Sequence, residues 1–216
     1  MQLTDRTKIT RLPKRGHHDT ETIYPILDEG LVCHVSYNLN GQPFMIPTAY
    51  CRIDDIVYLH GSVGSHFFRE LAKEIPVCIA VTHIDGLVMA RSAFHHSVNY
   101  RSVILFGQTR LVTDETERWH ALERITEHLV PGRWDDTRQP NASEMKKTMV
   151  LAIQIEEASA KVRTGNVGDE PEDMNLPYWA GVLPISLHYG KPEQDPVQDT
   201  AVTVPDYVTG YKRESK

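Results

Sequence analysis

The chain has 216 residues, of which 40% are hydrophobic, and this fits one domain with a sizeable core. Its 23 basic residues stand against 29 acidic residues, which gives a net charge of -6. We expect no nucleic acid partner, because phosphate backbones are bound by clustered basic residues and the sequence has no basic stripe. The apolar runs are shorter than a membrane span and the N-terminus lacks a signal-peptide pattern, so we expect a cytoplasmic protein without a membrane-spanning segment.

The first half of the chain predicts a polar arm, a short helix and an antiparallel meander. Residues 1–22 are polar and basic and form the arm, and the domain runs from residue 23 to residue 190. A helix at 23–29 is followed by strands at 31–37, 44–53 and 56–60, with turns at Asn40-Gly41 and Asp54-Asp55. Apolar residues at helical spacing then predict a helix at 65–75, which ends before Pro76.

The second half predicts further strands around one long helix. Strands are expected at 77–83, 87–90, 100–113, 149–157 and 182–189, with a turn at Asp85-Gly86 and a bulge or close approach at Gly107. Asp114 and Glu117 are expected to cap the long helix, whose apolar side includes Trp119 as a core residue, and Asn141 with Glu144 is expected to cap a short one. Residues 191–216 form a C-terminal tail, which Tyr207 and Tyr211 could dock on a partner subunit.

Together these elements predict a mainly β protein with a few helices, built as an antiparallel barrel. Alternating βα units are absent from the pattern, so a doubly wound sheet is not expected. The three cysteines, Cys33, Cys51 and Cys78, lie in strand-like segments without a C-x-x-C spacing. We expect buried, reduced thiols in preference to a disulfide or metal ligands.

The segment from residue 58 to residue 66 has the strongest local signal for a ligand. An apolar strand ends there in a loop of small residues that opens a helix, and the first turn of a helix has free N–H groups and a partial positive charge. Ser62 and Ser65 add hydroxyl groups and His66 adds an imidazole. The pattern fits a bound phosphate of a cofactor, although a loop of this composition is more often a plain helix cap.

The sequence resembles the FMN-binding split-barrel superfamily, in the branch related to pyridoxamine 5'-phosphate oxidase, with the nitroimidazole-resistance proteins as cousins. The resemblance covers about residues 20–190 and depends on four stretches. They are IPTAY at 46–50, YLHGS at 58–62 with GSH at 64–66, DGLVMARSAFHHS at 85–97 with NYRSV at 99–103, and KVRTG at 161–165 with WAGVLP at 179–184.

The resemblance implies a homodimeric split β-barrel that binds FMN in a groove between the subunits. The cofactor-binding residues that it implies are Pro47, Thr48, Ala49, Tyr50, His60, Gly61, Ser62, Ser65, His66, Arg101, Ser102 and Trp179. His60 is also the candidate catalytic residue, as a proton donor or substrate anchor. Many relatives have Arg followed by Lys at the phosphate, whereas this chain has His66 and Phe67, so Arg101 or Arg163 is expected to assist.

The same resemblance indicates the function and its limits. The oxidases have an Arg-x-His motif after the tryptophan, and this chain has Pro184, Ile185 and Ser186 in that region, so vitamin B6 oxidation is not expected. We expect an FMN-dependent oxidoreductase that takes electrons from a reduced nicotinamide or similar donor and acts on a small molecule. The alternatives are a flavin carrier or sensor without turnover and a haem-binding split barrel with a histidine axial ligand.

No metal site is expected from the histidines of the third stretch. His95 and His96 are adjacent, so on a strand they point to opposite faces, and no carboxylate or cysteine stands at ligand spacing. A zinc site that includes His83 is the alternative, and a role in the wall of a pocket is favoured.

Overall fold

The strands form one antiparallel sheet that closes on itself in this computed structural model, which describes residues 3–199 and 201–213. The nine strands of the described residues are β1 (Gly16–His17), β2 (Val32–Leu39), β3 (Gln42–Ile53), β4 (Ile56–Ser62), β5 (Pro76–Met89), β6 (Ser97–Leu111), β7 (Thr148–Gln154), β8 (Glu157–Arg163) and β9 (Gly181–Pro184). Strands β2, β3, β4, β7, β6 and β5 pair in that order, and β5 returns to β2, which closes a six-stranded barrel. β8 and then β1 extend the sheet beyond β6, and β9 pairs with β5. The predicted antiparallel barrel is confirmed.

Five α-helices lie among the described residues, and side chains cap the first four. They are α1 (Thr20–Glu29), α2 (His66–Leu71), α3 (Glu115–Leu129), α4 (Ala142–Lys147) and α5 (Asp206–Thr209). Asn141 and Glu144 form the predicted capping box at α4. Asp114 caps α3 as predicted, but Glu117 bonds instead to the Tyr58 hydroxyl, 2.9 Å away, and to Arg110. None of the described helices is long and apolar enough to cross a membrane.

The buried side chains form two clusters on either side of the barrel wall. The larger cluster fills the barrel and includes Val35, Leu59 and Leu105, and the smaller one lies between the wall and α3. Cys33 belongs to the first cluster and Cys51 to the second, and both are buried free thiols, as predicted, whereas Cys78 is a free thiol that is only half-buried. Burial raises the pKa of Cys33 and that of Cys51 to about 12, so these two thiols stay protonated at pH 7.

Several predicted boundaries differ from the structure, and long-range pairing explains the largest difference. Residues 76–89 form one strand, not two, because β6 supplies a continuous partner and the irregularity between Ile84 and Gly86 is only a bulge. β8 was not predicted, since its small and charged residues lack strand propensity and its pairing with β6 decides its conformation. α2 ends at Leu71, earlier than predicted, and β9 ends at Pro184, whose nitrogen has no hydrogen to donate.

The two ends of the chain and one tryptophan also depart from the expectation. The predicted helix at 23–29 begins already at Thr20, and the preceding segment pairs with β8 through Gly16 and His17. Trp119 was expected in the core but is 37% exposed, because it packs edge-on against Trp134 at the surface of α3. Within the chain, the Tyr207 hydroxyl donates to Asp136 and the Tyr211 hydroxyl to the Leu129 carbonyl, near the end of α3.

Candidate functional site

Strands β3 and β4 separate at one point of the barrel, and the predicted cofactor residues of these two strands lie on both sides of it. β3 pairs with β4 only from Tyr50 onward, whereas its earlier part, up to Ala49, pairs with β2 alone. β4 pairs with β3 only as far as Leu59 and beyond it pairs with β7 alone. Residues 46–49 and residues 60–62 therefore face an opening between the two strands.

His60 lies at this opening, on the side of β4 that faces α3. Its neighbour Leu59 points into the barrel, and Tyr58 packs in the cluster under α3, so the alternation of the strand turns His60 toward α3 as well. The side chain lines a cavity of about 210 Å³ whose walls are mostly apolar. The other lining residues are Leu122, Ile125, Thr126, Trp134, Pro140, Glu144, Met145 and Thr148.

The His60 imidazole is half-buried and has one nitrogen without a described partner. Its Nδ1 atom is buried and has no hydrogen-bond partner among the described residues. Burial lowers the pKa of His60, so the ring is neutral at pH 7. A neutral imidazole with a free nitrogen can hydrogen-bond a ligand, exchange a proton or ligate a metal.

The loop after His60 forms a helix cap with two free amides. The N–H of Gly64 donates to Ser62 Oγ at 3.1 Å, and the Ser65 hydroxyl accepts from Phe68 N at 3.5 Å. The N–H groups of His66 and Phe67 begin α2 and have no acceptor among the described residues. The sequence predicted either a plain helix cap or an anion site here, and the loop has features of both. Ser65 caps α2, and the amides of His66 and Phe67 remain available to an anion.

Two residues of this loop have surroundings that the sequence did not indicate. A Cβ atom at Gly61 would lie 2.2 Å from the Phe68 ring, so this glycine accommodates the core and not only a ligand. The His66 side chain is 67% exposed and its Nε2 lies 3.9 Å from a Glu70 oxygen, so a carboxylate stands beside the predicted phosphate position.

The side chains of Tyr50 and Arg101, which were predicted at the cofactor, form hydrogen bonds to other residues of the chain. The Tyr50 ring is fully buried and its hydroxyl donates to the Leu27 carbonyl, so only its backbone is near the opening. Arg101 donates to both oxygens of Glu29 and both oxygens of Asp85, at 2.5–3.0 Å. These hydrogen bonds raise the pKa of Arg101 and compensate its charge, so it is not free to assist His66.

Three further predicted residues lie on other parts of the molecule. Arg163 donates to the Asn99 side chain, and Ser102 Oγ donates to the Lys161 carbonyl at 3.3 Å, on the strands β6 and β8. Trp179 is 69% exposed, and its ring covers Gly181 at the start of β9. The single chain does not bring these residues to the opening between β3 and β4 through any described contact.

The histidines of the third stretch do not converge. His83 Nε2 lies 2.9 Å from the Ile26 carbonyl, His96 Nδ1 lies 3.1 Å from the Ser92 carbonyl, and His95 faces Glu170. Within residues 3–199 and 201–213, no group of three or more His, Cys, Asp or Glu side chains is arranged to hold a metal ion.

A second surface next to the opening carries a histidine that the sequence analysis missed. We define the outer face as Val32, His34, Met45, Pro47 and Ile104, which lie on the side of β2, β3 and β6 away from the core. Val32, Met45 and Ile104 are 46%, 59% and 44% exposed, and His34 is exposed among them. The alternation of β2, with Cys33 and Val35 buried, is the signal that could have identified His34 as an outward residue.

Comparison with known proteins gives one family and two solved structures that match nearly the whole chain. A sequence profile described as pyridoxamine 5'-phosphate oxidase matches residues 19–162, which include both sides of the opening. No curated protein sequence gives a significant match. The flavocytochrome Anf3 from Azotobacter vinelandii is 39% identical with a TM-score of 0.90, over 97% of each chain.

A second solved structure is also similar over nearly the whole chain. The FAD and haem binding protein from Mycobacterium smegmatis is 31% identical with a TM-score of 0.88, over 94% of this chain and 99% of that chain. The profile covers two thirds of the sequence and both structures agree with the closed antiparallel sheet. The chain belongs to the pyridoxamine 5'-phosphate oxidase family of split-barrel proteins.

Proposed function

We propose that this protein is a redox protein that binds a flavin and a haem. One observation supports this above the others: two solved structures, a flavocytochrome and an FAD and haem binding protein, match it at 39% and 31% identity over at least 94% of each chain. The flavin is proposed at the opening between β3 and β4, where Pro47, Thr48 and Ala49 face residues 60–62.

The residues at the opening fit a flavin held mainly by backbone groups. His66 and Phe67 offer two free amides, and a phosphate is well held by such groups at a helix start. Arg101 is not available as a permanent cation for the phosphate, since Glu29 and Asp85 compensate it. We therefore favour FAD, whose second nucleotide adds contacts, and keep FMN as the alternative. The flavin would supply hydride and single-electron transfer.

Two histidines fit a haem. A haem iron takes a neutral imidazole nitrogen, and His60 Nδ1 is buried, neutral and unbonded, while His34 is exposed on the apolar outer face. The cavity at His60, about 210 Å³, is smaller than the roughly 300–1,000 Å³ of ordinary ligand pockets. Neither place encloses a cofactor within the described part of one chain, and a second copy packed on the outer face would enclose one at His34.

We further propose that the protein is a homodimer that joins through the outer face. Val32, Met45 and Ile104 expose apolar side chains together on one side of the barrel, and apolar surface of this kind is typical of an interaction site. A stable interface buries about 1,600 Å² in total. Contact through this face would place the flavin and the outward histidine between the subunits.

The chemistry proposed for the chain is electron transfer from a reduced nicotinamide, through the flavin, to a small acceptor. Where His34 ligates the haem, the neutral ring of His60 stays available to exchange one proton at Nδ1 in its mostly apolar cavity. A flavin carrier or sensor without turnover is the second candidate, because none of the described contacts identifies a substrate site.

The decisive experiment is the absorbance spectrum of the purified protein, followed by reconstitution of the apoprotein with FAD, FMN or hemin. We expect flavin bands and a Soret band together, release of FAD on denaturation, and reduction of both cofactors by NADH or NADPH. His34→Ala and His60→Ala are tested for loss of the Soret band, with His120→Ala on the exposed side of α3 as the control. A protein that takes up neither flavin nor hemin would contradict the proposal, and reduction without turnover would favour the carrier.

A further inference from the structure

The C-terminal segment reaches back across the chain and places Arg213 between the ends of two helices. Its guanidinium donates to the carbonyls of Asp28, at 2.7 Å, and Glu29, at 3.1 Å, at the end of α1. It also donates to the carbonyl of His128 at the end of α3. Tyr211 donates to the neighbouring Leu129 carbonyl at 2.5 Å. One segment thus satisfies carbonyls of both helices.

These carbonyls form a site for a cation. The last four carbonyls of a helix have no partner within it and carry a partial negative charge, and here two helices end side by side. In α1 the other two such carbonyls, Ile26 and Leu27, are close to His83 Nε2 and bonded by the Tyr50 hydroxyl. The carbonyls of Asp28, Glu29 and His128 are left for Arg213.

The charge in this site comes from Arg213 and not from the histidine beside it. Burial lowers the pKa of His128, so its ring is neutral at pH 7. Its Nε2 lies 2.6 Å from the Gly30 carbonyl and donates there, so Arg213 Nη2, at 3.3 Å from the same nitrogen, is a packing contact. Arg213 forms no ion pair with a carboxylate in the described part of the chain. Its planar group with five donors suits several carbonyls at once.

The cavity around Arg213 changes its charge when the segment leaves. It has a volume of about 470 Å³ and is lined by Asp28, Glu29, Arg52, Arg124, Glu127, His128, Pro131, Lys212 and Arg213. Four cationic and three anionic side chains are present, and the C-terminal segment supplies two of the cations. Without Lys212 and Arg213 the remaining lining charges and Arg101, which pairs with Glu29, sum to zero, so the carbonyl ends of α1 and α3 supply the attraction for a cation. The cavity is then suited to a positively charged ligand.

We propose that the ends of α1 and α3 form a guanidinium-binding site that the chain's own C-terminal segment keeps filled, and that the site takes a free guanidino compound when Arg213 is absent. The bound cation ties α1 to α3. His128 extends the link, because its ring packs against Tyr50 of β3 with ring centroids 5.4 Å apart. The segment therefore acts as a strap that holds the strand beside the opening described above.

The test replaces Arg213, which removes its guanidinium from the site, and adds free guanidinium to the solution. We expect Arg213→Ala to lower the Tm of the purified protein by several degrees and guanidinium chloride to restore part of the loss in a saturable way, whereas sodium chloride of equal ionic strength does not. Half-saturation is expected on the order of 10 mM, because so small a ligand binds weakly. L-arginine is the second probe. Wild type and the control Arg11→Ala, which removes an exposed arginine of the N-terminal segment, should show no such gain.

A second variant keeps the test decisive if Arg213→Ala does not fold. Arg213→Lys retains the charge but not the planar donors, so its Tm should lie below that of wild type and rise with guanidinium. An unchanged Tm in both variants, a loss that guanidinium does not recover, or an equal gain in wild type would overturn the proposal. All Tm values are compared at equal cofactor content, because a bound flavin or haem raises the Tm by itself, so the result for this site is separate from the outcome for the proposed function.

Discussion

Tyr50 and Leu59 are the last pair that β3 and β4 share, and the barrel opens beyond them. Both side chains are fully buried, so the opening starts at a rigid point of the core. The backbone on either side then diverges, with Ala49 following β2 and His60 following β7. This relationship brings together two segments that are ten residues apart in the chain and makes them the two sides of one site.

We predict that the loop glycines differ in their effect on stability. In Gly61→Ala the new methyl group would meet the Phe68 ring at 2.2 Å, and such overpacking costs about 1–3 kcal/mol of unfolding free energy. In the matched control Gly64→Ala the nearest atom is Ser62 Oγ at 3.4 Å, so little change is expected. Urea denaturation measures both. Equal stability of the two variants would show that Gly61 is not constrained by the core.

We predict that a permanent cation at residue 66 strengthens the binding of FMN. His66→Arg adds a guanidinium beside the two free amides at the start of α2, and a gain of about tenfold corresponds to ~1.4 kcal/mol. Titration of the apoprotein with FMN, followed by flavin fluorescence, gives the Kd. His120→Arg, on the exposed side of α3, is the control and should leave the Kd unchanged. If His66→Arg binds no better than wild type, the phosphate does not lie at this helix start.

We predict that His60 makes the cofactor-free protein less stable in acid. Burial lowers the pKa of His60, so below about pH 6.5 the unfolded chain takes up a proton there that the folded protein does not. The unfolding free energy is therefore greatest above pH 6.5 and falls as the pH drops toward the folded-state pKa. His60→Leu removes this uptake and should lose less stability than wild type between pH 7 and pH 5.

Urea denaturation at each pH measures the difference between the two proteins. His120→Leu replaces an exposed histidine of α3 and should follow the wild-type pH dependence. A His60→Leu curve that stays parallel to that of wild type at every pH would contradict the prediction.

We predict that a charge on the outer face separates the proposed dimer. Met45→Asp places a carboxylate on a surface where the wild-type side chain is 59% exposed, and burying that charge in an interface is unfavourable. Sedimentation velocity should show a monomer, and cofactor content should fall with it. Val197→Asp alters a side chain that is 88% exposed in the C-terminal segment and should remain dimeric. A wild-type protein that sediments as a monomer at micromolar concentration would contradict the proposed assembly.

The local elements were predictable because their signals lie within a few residues. The turn at Asn40-Gly41 and the cap formed by Asn141 and Glu144 both appear where the sequence indicates. Helix caps and hairpin turns depend on neighbours in the chain, and such neighbours are visible in the sequence. The resemblance to the split-barrel family added the overall fold, which the structural matches bear out.

The candidate site was predictable in part. Residues 46–49 and 60–62 were identified through the resemblance, and they do line one opening. Arg101 could not be judged from the sequence, because its partners Glu29 and Asp85 lie 72 and 16 residues away. The same holds for Tyr50, whose hydroxyl bonds a carbonyl of α1.

By itself, the sequence determined the strand alternation, the caps, the family and the two segments that lie beside the opening between β3 and β4. Only the tertiary structure decided that the sheet closes through β5 and β2, that His60 Nδ1 is left without a partner, and that Arg213 occupies the ends of α1 and α3. The physical reason is the distance along the chain over which each kind of interaction acts. A propensity or a cap is set by adjacent residues, whereas burial and charge compensation depend on groups that folding brings together from distant parts of the chain.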